Sequence, residues 1–233
     1  MKEFHKFKET VGLSGQETPT LAEAFTHRSY AVENNLEFDN QRLEFLGDAV
    51  LEIILTEYLF KLYPGMNEGD MTKIRSALVR EKTLAELAIM LDLGDFLRIG
   101  KGEQENGGAS RQSTLADLFE AVLGAIYLDA GFDFARDFIL DLYSRHTPEP
   151  ESLLLSINPK GTLQEFAQKC RFQPPVYRVL HILGPEHNPT YEVEVTCNGC
   201  SAAGAGVSRK QAEGAAAKKL YEYLCQTVSP ENA

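Results

Sequence analysis

Between residues 40 and 62 apolar side chains recur at helical spacing, with Leu43, Leu46, Val50, Ile53 and Ile54 on one side at about 100° per residue. That pattern predicts a long helix with a core-facing stripe, ended by the breaker Tyr63-Pro64-Gly65. A second long helix is predicted over Ser113–Leu128, where nearly every position is apolar and burial on most sides follows. Shorter helical patterns occupy roughly 2–12, Leu21–Phe25, 68–80, 82–91 and 132–145, and a Gly-rich stretch, Gly100–Gly108, reads as a loop. Past Thr147-Pro-Glu-Pro-Glu-Ser152, a linker without helical period, the pattern changes. Lys160–Lys169 is helical, Val176–Leu183, Tyr191–Cys197 and Ser201–Gly206 alternate like strands, and Ser208–Leu224 is again helical. The prediction is a mainly α domain over 1–146, a linker over 147–157, and a small α+β domain of order α-β-β-β-α over 158–228.

The polar side of the first long helix carries Gln41, Glu44, Asp48 and Glu52, with no Lys or Arg of that helix among them, since Arg42 points elsewhere. Phe45 and Leu51 flank these carboxylates with apolar walls. In the second long helix Asp117 and Glu120 stand at i, i+3, on one face, and no basic residue lies between 112 and 135 to pair with them. An acidic face is commonly just solvated, and a buried acid commonly belongs to an ion pair with a distant Arg or Lys. A sharper reading is that Glu44, Asp48, Asp117 and Glu120 converge on hard divalent cations, magnesium above all, which oxygen-only ligands suit.

The chain has 233 residues, 43% of them hydrophobic, enough for a medium domain and a small one. Its charged first residues lack a signal-peptide core, and no apolar run approaches the ~18 residues of a membrane span. Four cysteines without a disulfide framework fit a reducing compartment, so a cytoplasmic location is expected. The formal charge of −11 argues at first against nucleic acid. It is unevenly spread: residues 1–157 hold 15 Lys+Arg against 27 Asp+Glu, whereas 158–228 hold 8 against 6. The acid sits in the first half.

These segments resemble the ribonuclease III family of bacteria. Arg42-Leu-Glu-Phe-Leu-Gly-Asp48 is similar to its signature and Leu115-Ala-Asp-Leu-Phe-Glu-Ala121 to its second acidic motif. Phe25-Thr-His-Arg-Ser-Tyr30, Asn67-Glu-Gly-Asp-Met71 and Leu97-Arg-Ile-Gly-Lys-Gly-Glu103 match other segments in the same order. The resemblance implies a magnesium-dependent endoribonuclease of double-stranded RNA, with manganese a substitute and no small-molecule organic cofactor. It would leave 5′-phosphate and 3′-hydroxyl ends and process ribosomal and other transcripts. It implies Glu44, Asp48, Asp117 and Glu120 as the metal set, with Asp48 and Glu120 catalytic. It also implies a homodimer that buries Phe45 in the partner and sets two acidic clusters into one valley. One position departs: the family usually has Glu where this chain has Gln41. With all four acids present, that change reads as one in the outer shell. Lone His27 reads as a structural histidine, and Lys101 and Arg111 as solvated loop residues.

The second domain resembles a double-stranded RNA-binding domain. Thr162, Gln164 and Glu165 match its first-helix contact, and Gly184-Pro-Glu-His187 matches the loop that enters a minor groove. Ser208, Arg209, Lys210 and, further on, Lys218 match its phosphate-bridging helix. Physics supports the last of these. Ser208 is a good N-cap, and cations in a first turn are unfavourable until an anion docks there. Gly214 inside this helix costs roughly 1 kcal/mol against Ala, with no reason visible in the pattern. Cys197-Asn-Gly-Cys200 has half the ligands of a zinc site and no second pair at matching spacing; Asn-Gly between strands reads as a type I′ turn. Two other readings stay open: a non-catalytic double-stranded RNA-binding or ribosome-associated scaffold of the same fold, and a nuclease directed at DNA or hybrids.

Overall fold

The computed structural model describes residues 4–13, 18–147, 149–185 and 189–227. They divide into two compact units, Met1–Pro148 and Glu149–Ala233.

The first unit is helical: α1 (His5–Thr10), α2 (Leu21–Ala24), α3 (Arg28–Glu33), α4 (Gln41–Leu62), α5 (Glu68–Leu78), α6 (Glu81–Met90), α7 (Lys101–Glu105), α8 (Gln112–Ala130) and α9 (Phe132–His146). α8 is the hub. Its apolar residues from Leu115 to Ile126 are buried almost without break, against α4 on one side and α6 on another. Backbone meets backbone where α4 crosses α8. A Cβ added at Gly47 would lie 2.6 Å from the carbonyl carbon of Glu120 and closer still to its oxygen. One added at Gly124 would lie 3.1 Å from the carbonyl carbon of Leu43. Two glycines therefore let the helices touch.

This crossing rotates α4 relative to the predicted stripe. Its buried residues are Leu43, Gly47, Val50, Leu51, Ile54, Leu55 and Leu59, so Leu51 belongs to the core. Ile53, expected there, is 54% exposed. Its direction lies beyond the arc that α8 covers. The Gly-rich stretch is not wholly loop: α7 lies within it, tied down by Arg111 Nη1 to Glu103 Oε1 at 2.6 Å. Asn67 caps α5 by accepting from the Asp70 N–H. Asp70, buried, takes Lys73 Nζ at 2.6 Å and Asn67 Nδ2 at 2.8 Å. Among the described residues no helix is long and apolar enough to cross a membrane.

The second unit runs α10 (Ser152–Ile157), α11 (Pro159–Lys169), β1 (Val176–Leu183), β2 (Thr190–Cys197), β3 (Cys200–Gly206) and α12 (Arg209–Thr227). The strands form one antiparallel sheet in the order β1-β2-β3, with an irregularity in β1 between Val179 and His181. α11 and α12 bury Leu163, Phe166, Ala216, Leu220 and Leu224 with Val195 of the sheet. The alanines of α12 allow close approach, and Gly204 of β3 is needed because a Cβ there would enter the α12 backbone. At Gly214 a Cβ would stand 3.3 Å from Pro159 Cγ, at the first turn of α11, a tight contact that a small shift of the proline ring would relieve. The segment read as linker is partly ordered, since α10 occupies its second half and packs on α11.

Candidate active site

Glu44 and Asp48 stand one turn apart on α4, and Asp117 and Glu120 one turn apart on α8. The Gly47 contact on the Glu120 carbonyl sets these turns against each other. One carboxylate oxygen each of Glu44, Asp117 and Glu120 comes within 4.8 Å of the others. Asp48 is exposed and outside that group of three, but its charge is felt by it.

The electrostatics follow from this crowding. Burial first, then Asp48, Glu44 and Asp117, push the Glu120 carboxyl up to about 8. Glu44 is raised by burial and then by Asp117, Asp39 and Asp48. Asp117 is raised by burial and then by Glu81, with His27 opposing. Like charges out of water disfavour ionisation unless a cation compensates. Three convergent oxygens with no basic side chain among the shifting neighbours of Glu120 therefore suit a hard divalent ion.

Two acidic neighbours of this cluster escaped sequence reasoning, and His27, read as a structural histidine, stands near it. Asp39 precedes α4, and Glu81 opens α6, where an acid reads simply as a helix-start residue. His27 caps α3: its Nδ1 accepts from the Ser29 N–H at 3.2 Å and lies 2.7 Å from Ser29 Oγ. The neutral ring therefore carries its proton on Nε2. Two polar residues of α4 leave the cluster. Glu52 pairs with Arg75 Nε of α5 at 2.8 Å, so its side of α4 does not lack a cation after all. Gln41 Oε1 accepts from Arg28 Nη1 at 3.0 Å.

Phe45 is 80% exposed on α4, as are Phe60 (69%) and Ile53 to lesser degree. At about 100° per residue these three fall within about 80° of one another around the helix.

In the second unit, Gln164 and Glu165 lie on the exposed side of α11, while Thr162 Oγ1 donates to the Asn158 carbonyl at 3.0 Å. Ser208 caps α12, its Oγ accepting from the Gln211 N–H at 3.2 Å. Lys210 and Lys218 are exposed, the latter 4.0 Å from Glu222. Arg209 is committed elsewhere: its Nε is 2.8 Å from Oε1 of buried Glu213, which also binds Lys160 of α11. Lys160 Nζ in turn sits 4.5 Å above the Tyr177 ring of β1. His187 lies outside the described residues.

Residues 17–146 match the family model described as Ribonuclease-III-like, and residues 159–224 match that of the double-stranded RNA binding motif. The chain is 44% identical to Ribonuclease 3 of Oceanobacillus iheyensis over 221 residues, 93% of this chain and 96% of that one. It is 42% identical to Ribonuclease 3 of Vibrio cholerae over 222 residues, 94% and 96% of the two chains. Among solved structures, the nuclease domain of ribonuclease III from Campylobacter jejuni is 40% identical with a TM-score of 0.59. It covers 63% of this chain and 99% of that one, and is described as flexible in a region involved in dimer formation.

Proposed function

The chain belongs to the ribonuclease III family and is an endoribonuclease of double-stranded RNA, and we propose that it cuts with magnesium held by Glu44, Asp117 and Glu120. The observation that carries this reading is the meeting of three carboxylates from two helices within 4.8 Å. When bound, the ion supplies positive charge that acidifies an attacking water and stabilises the oxygen that leaves phosphorus. The chain's own part is positional. α4 and α8 present the oxygens pre-assembled, the apolar body of α8 keeps bulk water from their far side, and Asp48 faces solvent with a fourth carboxylate that orients water. Hydrolysis leaves the 5′ fragment with a 3′-hydroxyl and the 3′ fragment with a 5′-phosphate, as the family resemblance implies. Manganese, also a hard oxygen-seeking ion, substitutes.

Residues 1–146 carry the cut, 158–228 hold the duplex, and 147–157 join them. Thr162, Gln164 and Glu165 are assigned to minor-groove hydroxyls, as is His187 from its match to the family loop. Ser208, Lys210 and Lys218 take phosphate, and Arg209, matched to the same motif, is instead held by Glu213. Readout through shape and 2′-hydroxyls makes sequence preference weak. Exposed Phe45, Ile53 and Phe60 share one side of α4, a surface that a second copy would cover. Phe45 is its most exposed member and our choice for the central contact of a homodimer. The reducing compartment suggested by four free cysteines is the cytoplasm, where structured transcripts are the substrates.

The test is Glu120→Gln, which keeps size and removes charge. Cleavage of a duplex RNA in magnesium should fall by at least about 100-fold, with duplex affinity unchanged. Wild-type cleavage by Glu120→Gln would reduce the cluster to ordinary acidic surface. Cleavage by the native enzyme in chelator, with no divalent ion present, would do the same.

A further inference from the structure

The Cys-Asn-Gly-Cys motif plays no part in cleavage or duplex binding as described above, and the structure gives it a definite geometry. Cys197 and Cys200 are direct register partners at the end of β2 and the start of β3. Asn198 (φ 50°) and Gly199 (φ 74°) are both left-handed, as a two-residue type I′ turn requires. Residues directly opposite in an antiparallel pair project to the same face. Here it is the face beneath the helices: Cys197 is buried in the core with Cys170, and Cys200 packs against the same cluster while keeping partial exposure. All are free thiols, and the Cys197 S–H, a weak donor, points to the Gln173 carbonyl at 3.7 Å.

A two-residue turn makes its flanking pair a hydrogen-bonded one, with Cα atoms about 5.5 Å apart, inside the roughly 4.4–6.8 Å that a disulfide spans. The Cβ atoms of such pairs stand about 4.5–5.5 Å apart, whereas a disulfide holds them at about 3.5–4.5 Å. Closure therefore needs the strand ends to draw in by about 1 Å, which strains the bond and makes it easy to reduce. Among the described residues no set of three thiol, imidazole or carboxylate ligands at metal spacing includes these sulfurs. Thiol–disulfide exchange is the chemistry this pair can perform.

We propose that Cys197 and Cys200 form a reversible modification site that takes a low-molecular-weight disulfide, such as oxidised glutathione, as its oxidant. Cys200, the more accessible, gives its proton to solvent, and its thiolate attacks one sulfur of the reagent. The reagent's S–S bond breaks, one small thiolate leaves, and a mixed disulfide stands on Cys200. Cys197 then deprotonates and attacks the Cys200 sulfur; the mixed bond breaks and the second small thiol leaves. Two protein thiols have lost two electrons and two protons, and the reagent has become two thiols. Burial, followed by the nearby Cys200 and Cys170, raises the Cys197 thiol. The second step therefore accelerates as pH rises.

The test uses the full chain carrying Cys225→Ser, because exposed Cys225 would take reagent by itself. After incubation with oxidised glutathione and alkylation of remaining thiols, mass spectrometry should find the peptide bearing Cys197 and Cys200 lighter by two hydrogens. A dithiol reductant should restore it. In the Cys197→Ser form the reaction should stop as a mixed disulfide on Cys200, and the Cys200→Ser form should give neither product. The idea fails if the pair is alkylated in full under conditions that modify Cys225 in the native chain. It fails equally if the bond found joins Cys170 to either partner.

Discussion

Adding one methyl group at Gly47 should disable the enzyme without touching an acid. Its Cβ would lie 2.6 Å from the Glu120 carbonyl carbon and 3.0 Å from the Gly124 nitrogen, where ordinary contact begins at 3.4 Å. The nearest atoms are backbone, which cannot swing aside as a side chain does. α4 and α8 must part by about 0.8 Å to bring the carbon contact from 2.6 to 3.4 Å, and by more to clear the oxygen. Overpacking of this kind costs about 1–3 kcal/mol. The opening also falls between Glu44 on one helix and Asp117 and Glu120 on the other. A misplacement of about 1 Å in a catalytic constellation can cost about 100-fold in rate.

Gly47→Ala should therefore lower the thermal midpoint by several degrees, lower cleavage at saturating magnesium by roughly 100-fold, and leave duplex affinity alone. Gly102→Ala is the control. It lies in exposed α7 with nothing within 4 Å of an added Cβ, and should be neutral or slightly stabilising. Thermal melts and single-turnover cleavage on both variants decide the matter. If Gly47→Ala melts and cuts like the parent, the helix contact does not set the geometry of the site.

Three further outcomes can be checked. Glu120 keeps, in the folded protein, a proton that the unfolded chain has lost above its ordinary value of 4.5, and retains it up to about 8. The raised acid thus favours folding at low pH, and metal-free stability should fall as pH climbs between those values. Melts in chelator should show that slope, Glu120→Gln should remove most of it, and a rising midpoint across the window would contradict the assignment. For duplex binding, Lys210→Ala should reduce the slope of log affinity against log salt by about one. Arg209→Ala should change it much less, because that charge is already spent on Glu213; equal losses would make Arg209 a phosphate contact like its neighbour. Finally, Gln41→Glu should alter cleavage at limiting magnesium by no more than a few-fold. Arg28 already lies 3.0 Å from that side chain and would neutralise a new carboxylate, in a pair of about 0–1 kcal/mol. A large gain would mean that position 41 reaches the ion.

Helix extents and the strand order of the second unit were legible because their periods are strong and their breakers plain, as at Tyr63-Pro64-Gly65 and Asn198-Gly199. Spacings of i, i+3 and i, i+4 likewise put Asp117 with Glu120 and Glu44 with Asp48. What one helix cannot reveal is its partner. Glu52 sits on the same side of α4 as Glu44, yet Arg75 of α5 claims it, and Asp39 and Glu81 reach the cluster from other elements. Ile53 was misplaced for a related reason. A wheel shows which residues share a side, but the arc covered by α8 is set by the glycine crossing. α10 was missed because two prolines just before it outweigh six residues of weak pattern. The tie between Arg209 and Glu213 had the right i, i+4 spacing, but only the burial of Glu213 and its second cation, Lys160, make it a commitment.

The same crossing that builds the site also sets its conflict. Two glycines bring α4 and α8 together, and tight backbone contact suits an apolar core well. The identical closeness forces three carboxylates into mutual range, where burial and repulsion hold Glu120 protonated up to about 8. Stability without an ion and capacity for an ion thus pull the same residues in opposite directions. Neutralising an acid relieves the free fold while removing a ligand, and loosening the crossing relieves the repulsion while scattering the ligands. A cation resolves both at once, since it binds the folded arrangement and not the unfolded chain, and filling the site must expel the Glu120 proton. Ion affinity should accordingly climb with pH up to about 8, over the very range in which the ion-free fold weakens.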